Sequence, residues 1–288
     1  MTLCNAVPVR RERRVRRGFE RGFEWYASEP KIAHLFRFPA GGKHLCVPQK
    51  NGNRNFGALL HAAWVGSPPA DEKDLLEHMH RYDLPAGKLR NGHIYFVARN
   101  PYARLLSEFL NHQVGQCVRG SLGCAATTNL PANRTGFETW VSTLYQRWLN
   151  SGRDTCKLGN KHLCSQLSGC AYPPPACVRV LHLEKQRGWF GCLLRQTAVS
   201  SALLVGEAWR PFAGTPCYLP NSTGACVDWA DAAASETAES VFVGPVHGTA
   251  ASNQLDVYYT PLSVHHVSVM YARDIAVLGY EHASPLQY

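Results

Sequence analysis

The stretch HIYFVARNPYARLLSEFL, residues 93–110, constrains the fold more than any other, because its hydrophobic period changes in the middle. HIYFVA is a short apolar run of the kind that forms a buried strand. Asn100 is a good helix N-cap, and Pro101 suits the first helical position, where a missing N–H is no loss. Tyr102, Leu105, Leu106, Phe109 and Leu110 then recur at the spacing of a helix packed on a sheet. A core needs none of the polar groups at this joint. Arg99 at the strand's end and Ser107 along the helix are groups an anionic ligand would use.

The rest of the chain repeats the alternation. KHLCV (43–47) reads as a buried strand, followed by the polar loop PQKNGNRN and the apolar helix FGALLHAAW. After the break GSPPA, DEKDLLEHMHRY is a helix whose acidic first turn suits the helix dipole. CVRVLHL (177–183) is a third strand, and FETWVSTLYQRWL (137–149) a helix within a segment rich in Gly, Cys, Thr and Pro. The closing PLSVHHVSVMYARDIAVLGY stripes Val264, Val267, Tyr271, Ile275 and Leu278 as one helix, with His265 and His266 read as solvated. Residues 206–256 look irregular, and there is no internal repeat. Strands alternating with helices predict an α/β domain with a central, mostly parallel sheet flanked by helices.

The net charge of +9 is concentrated. Between residues 10 and 21, seven arginines face two glutamates, leaving +5 in one short arm. Residues 1–40 are therefore expected to form a basic extension and 41–288 the folded domain. The arm suits a solvated extension, a polyanion or membrane-surface contact, or a targeting segment. No stretch of 18 apolar residues occurs, so a membrane association would need that arm or an anchor outside this sequence. Nine of the eleven cysteines fall between Cys117 and Cys226, without a C-x-x-C pair that would suggest zinc, so no metal site is expected. That clustering predicts disulfides and a secretory, Golgi-like lumen; Cys170 with Cys177 is one candidate pair. Buried thiols in a reducing cytoplasm remain the alternative. Sequons at Asn133 and Asn221 are compatible with a glycoprotein, although roughly one is expected by chance.

Two strand–loop–helix joints carry basic and polar groups at a helix entrance, where backbone N–H groups and the dipole favour anions. In the first, Lys50, Asn51, Gly52, Asn53, Arg54 and Asn55 lie on a loop whose glycine permits close backbone approach. This is not a Walker A loop, because Arg37 stands where the first glycine belongs and His44 where the hydroxyl belongs. A nucleotide kinase is the poorer reading for that reason.

Together the two joints resemble the sulfotransferase family, specifically its carbohydrate branch, which uses 3′-phosphoadenosine 5′-phosphosulfate (PAPS). VPQKNGNRNF is similar to the family's Pro-Lys-x-Gly-type loop for the 5′-phosphosulfate, with Lys50 as its lysine and Gln49 inserted before it. RNPYARLLS fits the family's R-[DN]-P-x-x-R-x-x-S joint, in which Arg99 and Ser107 would bind the 3′-phosphate. Further along, His162, Gln166, Cys170 and Glu184 match a family segment, as do Tyr271, Asp274, Gly279 and Tyr280 in the last helix. The resemblance covers about residues 43–280.

It implies a P-loop-like sulfotransferase fold and transfer of a sulfuryl group from PAPS to a hydroxyl of a carbohydrate acceptor, with PAP as the other product. Lys50 would stabilise the leaving phosphate oxygen. A histidine suits the role of base near neutral pH: His80 first, His78 beside it, with His162 as the alternative. Nucleic acid is not an expected partner. The competing reading is a catalytically degenerate member that binds PAP or polyanions without turnover.

Overall fold

The computed structural model describes residues 33–39, 43–67, 69–70, 74, 77, 93–110, 130–168, 177–186, 189–190, 193–194 and 251–280. These form a mixed α/β structure around a four-stranded sheet of order β1-β2-β3-β4. The strands are β1 (Ala33–Arg37), β2 (Lys43–Pro48), β3 (His93–Ala98) and β4 (Cys177–His182). β2, β3 and β4 run parallel, whereas β1 pairs with β2 antiparallel. The three parallel strands coincide with the three expected ones. β1 was not expected. The sheet therefore reaches back to Ala33, and a boundary after residue 40 falls inside the β1–β2 hairpin.

Register sets the place of the site. Lys43 lies opposite His93, and His93 opposite Cys177, so the parallel strands begin in one row. All three are six residues long, so they also end together, and the loops after Pro48, Ala98 and His182 leave from one edge. Ligands of open α/β sheets bind at this carboxyl edge.

Alternation along the strands divides the core. Leu45, Val47, Tyr95, Val97 and Leu181 pack with Phe56, Leu59 and Leu60 of α1 (Asn53–Val65) and with Trp189 and Phe190. On the other face, Cys46, Ile94, Phe96 and Ala98 pack with Leu167 and Leu278. Both faces are covered, which is why the parallel strands read as unbroken apolar runs. A third cluster joins α2 (Pro101–Glu108), α3 (Arg134–Asn150) and α5 (Pro261–Met270) around Phe109, Phe137 and Tyr259. Fully burying one such aromatic is worth about 1.5–3 kcal/mol.

Helix ends follow the sequence. Asn100 Oδ1 accepts from the Tyr102 and Ala103 amides, and Pro101 opens α2. Asn133, the first residue of a sequon, caps α3 by accepting from Gly136 N. After the short α4 (Leu255–Tyr258), Thr260 and Ser263 form a reciprocal capping box at α5. The single closing helix expected from the apolar stripe is two. Tyr271, at φ −113° and ψ 21°, separates α5 from α6 (Ala272–Leu278). His266 also differs from expectation: its ring is buried and stacks on Tyr145 with centroids 4.2 Å apart. His265 stays exposed.

Candidate functional site

The loop after β2 is a tight turn in which Asn51 N donates to Pro48 O at 3.1 Å. Its third residue, Lys50, has φ 69°, a conformation that such turns normally reserve for glycine or asparagine. Holding a β-carbon there costs on the order of 1–2 kcal/mol. The neighbouring joint opposes that strain. Arg104 Nε donates to the Gln49 carbonyl (3.0 Å), and Arg99 Nη1 donates to the Lys50 carbonyl (2.8 Å). Two successive carbonyls are thus turned toward arginines of the second joint, which aims the Lys50 N–H away from Arg104. Gly52, at φ 81°, then leads into α1, whose first turn has neither a side-chain cap nor an acidic residue. The positive end of a 13-residue helix therefore faces the loop.

The loop's side chains divide in an unexpected way. Asn51 is wholly buried and points inward: its Nδ2 donates to Val97 O (2.7 Å) and Gln166 Oε1 (2.6 Å). With its N–H also spent inside the turn, Asn51 braces the loop from within. Gln49, the inserted residue, is buried too, between His34 Nε2 and the Asn53 amide, which donates to Gln49 Oε1 at 2.8 Å. Asn53 therefore spends one of its two amide N–H bonds on the loop. Asn55 lies half-buried in the first turn of α1, and the Arg54 side chain is outside the described residues. Lys50 extends to Glu108 of α2, with Nζ 3.2 Å from Oε2.

The second joint is braced from three directions. Gln166 clamps Arg99 on both backbone groups: Oε1 accepts from Arg99 N (2.9 Å), and Nε2 donates to Arg99 O (2.8 Å). Asp274 in turn holds the Gln166 segment, accepting from Gln166 N at 2.8 Å and from the Ser165 hydroxyl. Glu184 accepts from Asn100 N (2.6 Å) and from the Tyr280 hydroxyl (3.0 Å). Tyr271 donates to Leu163 O at 2.6 Å. Gln166, Glu184, Tyr271, Asp274 and Tyr280, distant in sequence, thus converge beneath the RNPYARLLS joint as its scaffold. Ser107 is buried on α2, and His162 is half-buried on the turn Lys161–Leu163. Cys170, His78 and His80 lie outside the described residues.

Electrostatics follow from this burial. Desolvation pulls the Arg99 pKa down to about 10, Glu184 opposing and Arg104 adding to the shift, so the guanidinium stays charged at neutral pH. Arg104 is lowered by the same desolvation. Burial raises the Asp274 carboxyl above its ordinary value, against the hydrogen bonds from Ser165 and Gln166. Burial also raises Tyr271 and Tyr280. Lys50, Arg99 and Arg104 thus meet Glu108, Glu184 and Asp274, three cations against three carboxylates.

Two residues at this centre have no counterpart among the expected site residues. Arg104 and Glu108 sit four apart on α2, off the apolar stripe, where a half-exposed helix would place them in water. Every residue of α2 is buried instead, so both turn toward the loop. The signal for Arg104 was its place as the second arginine of the R-[DN]-P-x-x-R-x-x-S pattern, and for Glu108 the i, i+4 spacing from that arginine. Cys156 and Cys164 are at disulfide distance, their Cα atoms 4.2 Å apart, in the segment that supplies Asn160 and Gln166. The expected Cys170–Cys177 pair lies outside the described residues, because Cys170 does.

No family model matches the chain, and neither the curated proteins nor the solved structures contain a match. Among the described residues, no helix is long and apolar enough to cross a membrane.

Proposed function

We propose that this chain is a PAPS-dependent sulfotransferase of P-loop-like fold acting on a hydroxyl of a carbohydrate. The observation that carries the reading is the bond from Arg99 to the Lys50 carbonyl. It brings the two basic joints side by side at the carboxyl edge of neighbouring parallel strands, which supports reading them as one anion site. A donor with phosphates at both ends needs two such anion subsites side by side.

The residues present fit that donor. Arg99 spends Nη1 on the loop, and no described residue accepts from its Nε or Nη2, so the remaining fork can take a 3′-phosphate. Ser107, on the helix that follows Arg99, adds a hydroxyl. The uncapped entrance of α1 suits the 5′-phosphosulfate. The donor supplies the sulfuryl group and PAP as leaving group: one S–O bond breaks at the 5′-phosphate as another forms at the acceptor hydroxyl.

This chain's part is orientation and charge. Lys50 stabilises the bridging oxygen as charge builds there, the kind of contribution that dominates group transfer with little covalent catalysis. A histidine takes the acceptor's proton, His80 or its neighbour His78 ahead of the second joint, with His162 as the alternative.

Calorimetric titration with PAP, alongside ATP with magnesium, tests the reading. PAP is expected to bind and ATP with magnesium not to. Binding of ATP alone would favour the nucleotide-kinase reading, and binding of neither would remove the anion site. PAP binding without any PAPS turnover would instead favour a binder.

A further inference from the structure

We propose that Glu108 withholds Lys50 from the ligand-free site, and that an entering phosphosulfate must displace the Glu108 carboxylate to recruit the lysine. The inference deepens the proposed function and rests on it for the identity of the ligand.

Three observations carry it. First, the lysine is committed inward. Its Nζ lies 3.2 Å from Glu108 Oε2, and the two side chains are only 9% and 0% exposed. Second, Glu108 is anchored from behind. Asn160 Nδ2 donates to Glu108 Oε1 at 2.6 Å, while Asn160 Oδ1 accepts from His162 N at 2.9 Å and so fixes Asn160 to the turn Lys161–Leu163. The carboxylate therefore cannot follow Lys50 outward, and the contact breaks when the lysine leaves.

Third, a replacement cation is in place. A buried carboxylate stripped of its partner is strongly destabilising unless another cation serves it. Arg104 lies one helical turn earlier on α2, within electrostatic reach of Glu108. Its Nη2 is buried without a hydrogen-bond partner among the described residues. Arg104 can hold Glu108 while Lys50 is engaged elsewhere. The backbone need not move in this exchange, because Arg99 and Arg104 already fix the Gln49 and Lys50 carbonyls. Only the lysine's flexible four-carbon stem swings.

Glu108→Gln is the test. Gln keeps the shape and can still accept from Asn160, but it no longer holds the ammonium by charge. PAP should bind this variant more tightly by at least about threefold, the scale of one modest ion pair. Lys50→Ala in the same background should erase that gain. The second readout needs no ligand. An ammonium held by a carboxylate resists acylation, since only the neutral amine reacts. Acylation of Lys50, followed by mass spectrometry, should accelerate at least about threefold in Glu108→Gln. Glu108→Asp keeps the charge but loses reach, and should shift both readouts the same way; it serves if the Gln variant does not fold.

Unchanged acylation together with equal or weaker PAP binding would overturn the proposal while leaving the sulfotransferase reading intact. If PAP binds neither protein, the functional reading fails, and the acylation rates alone decide whether Glu108 restrains Lys50.

Discussion

Gln166→Ala should be among the most damaging single substitutions in the domain. The side chain is wholly buried and makes three bonds: it accepts from Asn51 Nδ2 and Arg99 N, and donates to Arg99 O. Asn51 keeps a second partner in Val97 O, so its loss is small. The Arg99 N–H and carbonyl, at a buried strand end, would both be left unpaired. One buried unsatisfied group costs about 1–3 kcal/mol, so the pair should cost roughly 2–6 kcal/mol. At about 2–4 °C per kcal/mol for a chain of this size, Tm should fall by roughly 4–24 °C. Gln166→Glu retains the acceptor but sets an oxygen against Arg99 O, and should fall between wild type and Ala. Differential scanning calorimetry of the three proteins gives the comparison. A Gln166→Ala Tm within about 2 °C of wild type would mean that these groups find other partners and that Gln166 does not support the joint.

Arg99→Ala should weaken PAP binding roughly tenfold or more, because a charge-assisted hydrogen bond contributes about 1.5–3 kcal/mol; Ser107→Ala should cost less. Titration calorimetry finding both affinities unaltered would remove Arg99 and Ser107 from the site. Burial lowers the His266 pKa, with His265 adding to the shift, and it lowers His44, with Arg37 adding. Their folded forms then bind fewer protons than the unfolded chain, so stability is present above pH 6.5 and is lost as pH falls through the depressed folded values. Tm measured against pH should fall less steeply on acidification in His266→Phe, and identical slopes would refute the assignment. Reducing the Cys156–Cys164 pair should lower stability by no more than about 2–3 kcal/mol, since the loop it closes is short. Free thiols at both positions under non-reducing mass spectrometry would contradict the pairing.

Most of the frame was legible because it is local. The change of period at Ala98–Asn100 marked the end of β3 and the start of α2, and Asn100 and Pro101 act as their chemistry dictates. β1 was hidden because AHLFR is only five residues long and follows an arginine-dense arm that dominates its neighbourhood. The inward turn of Gln49 and Asn51 depends on the positive φ of Lys50, and lysine gives no warning of that conformation. Arginines remote in sequence impose it. The burial of His266 likewise comes from α3, through Tyr145, and no spacing within α5 reveals it. Gln166, Glu184, Asp274 and Tyr280 stood out in the sequence only through the family resemblance, which gave no partner for them. Their bonds show that they serve the RNPYARLLS joint as braces.

The central claim is that Lys50 and the second joint together move a sulfuryl group, and radiolabelled PAPS with a panel of hydroxyl-bearing glycans tests it most directly. Wild-type protein should transfer label to at least one glycan. Lys50→Ala should lower turnover by about 10²–10³, the usual loss when one group that stabilises developing charge is removed, while PAP affinity falls far less. Label that stays on PAPS across the whole panel despite PAP binding, or a Lys50→Ala protein that turns over at the wild-type rate, would contradict the account.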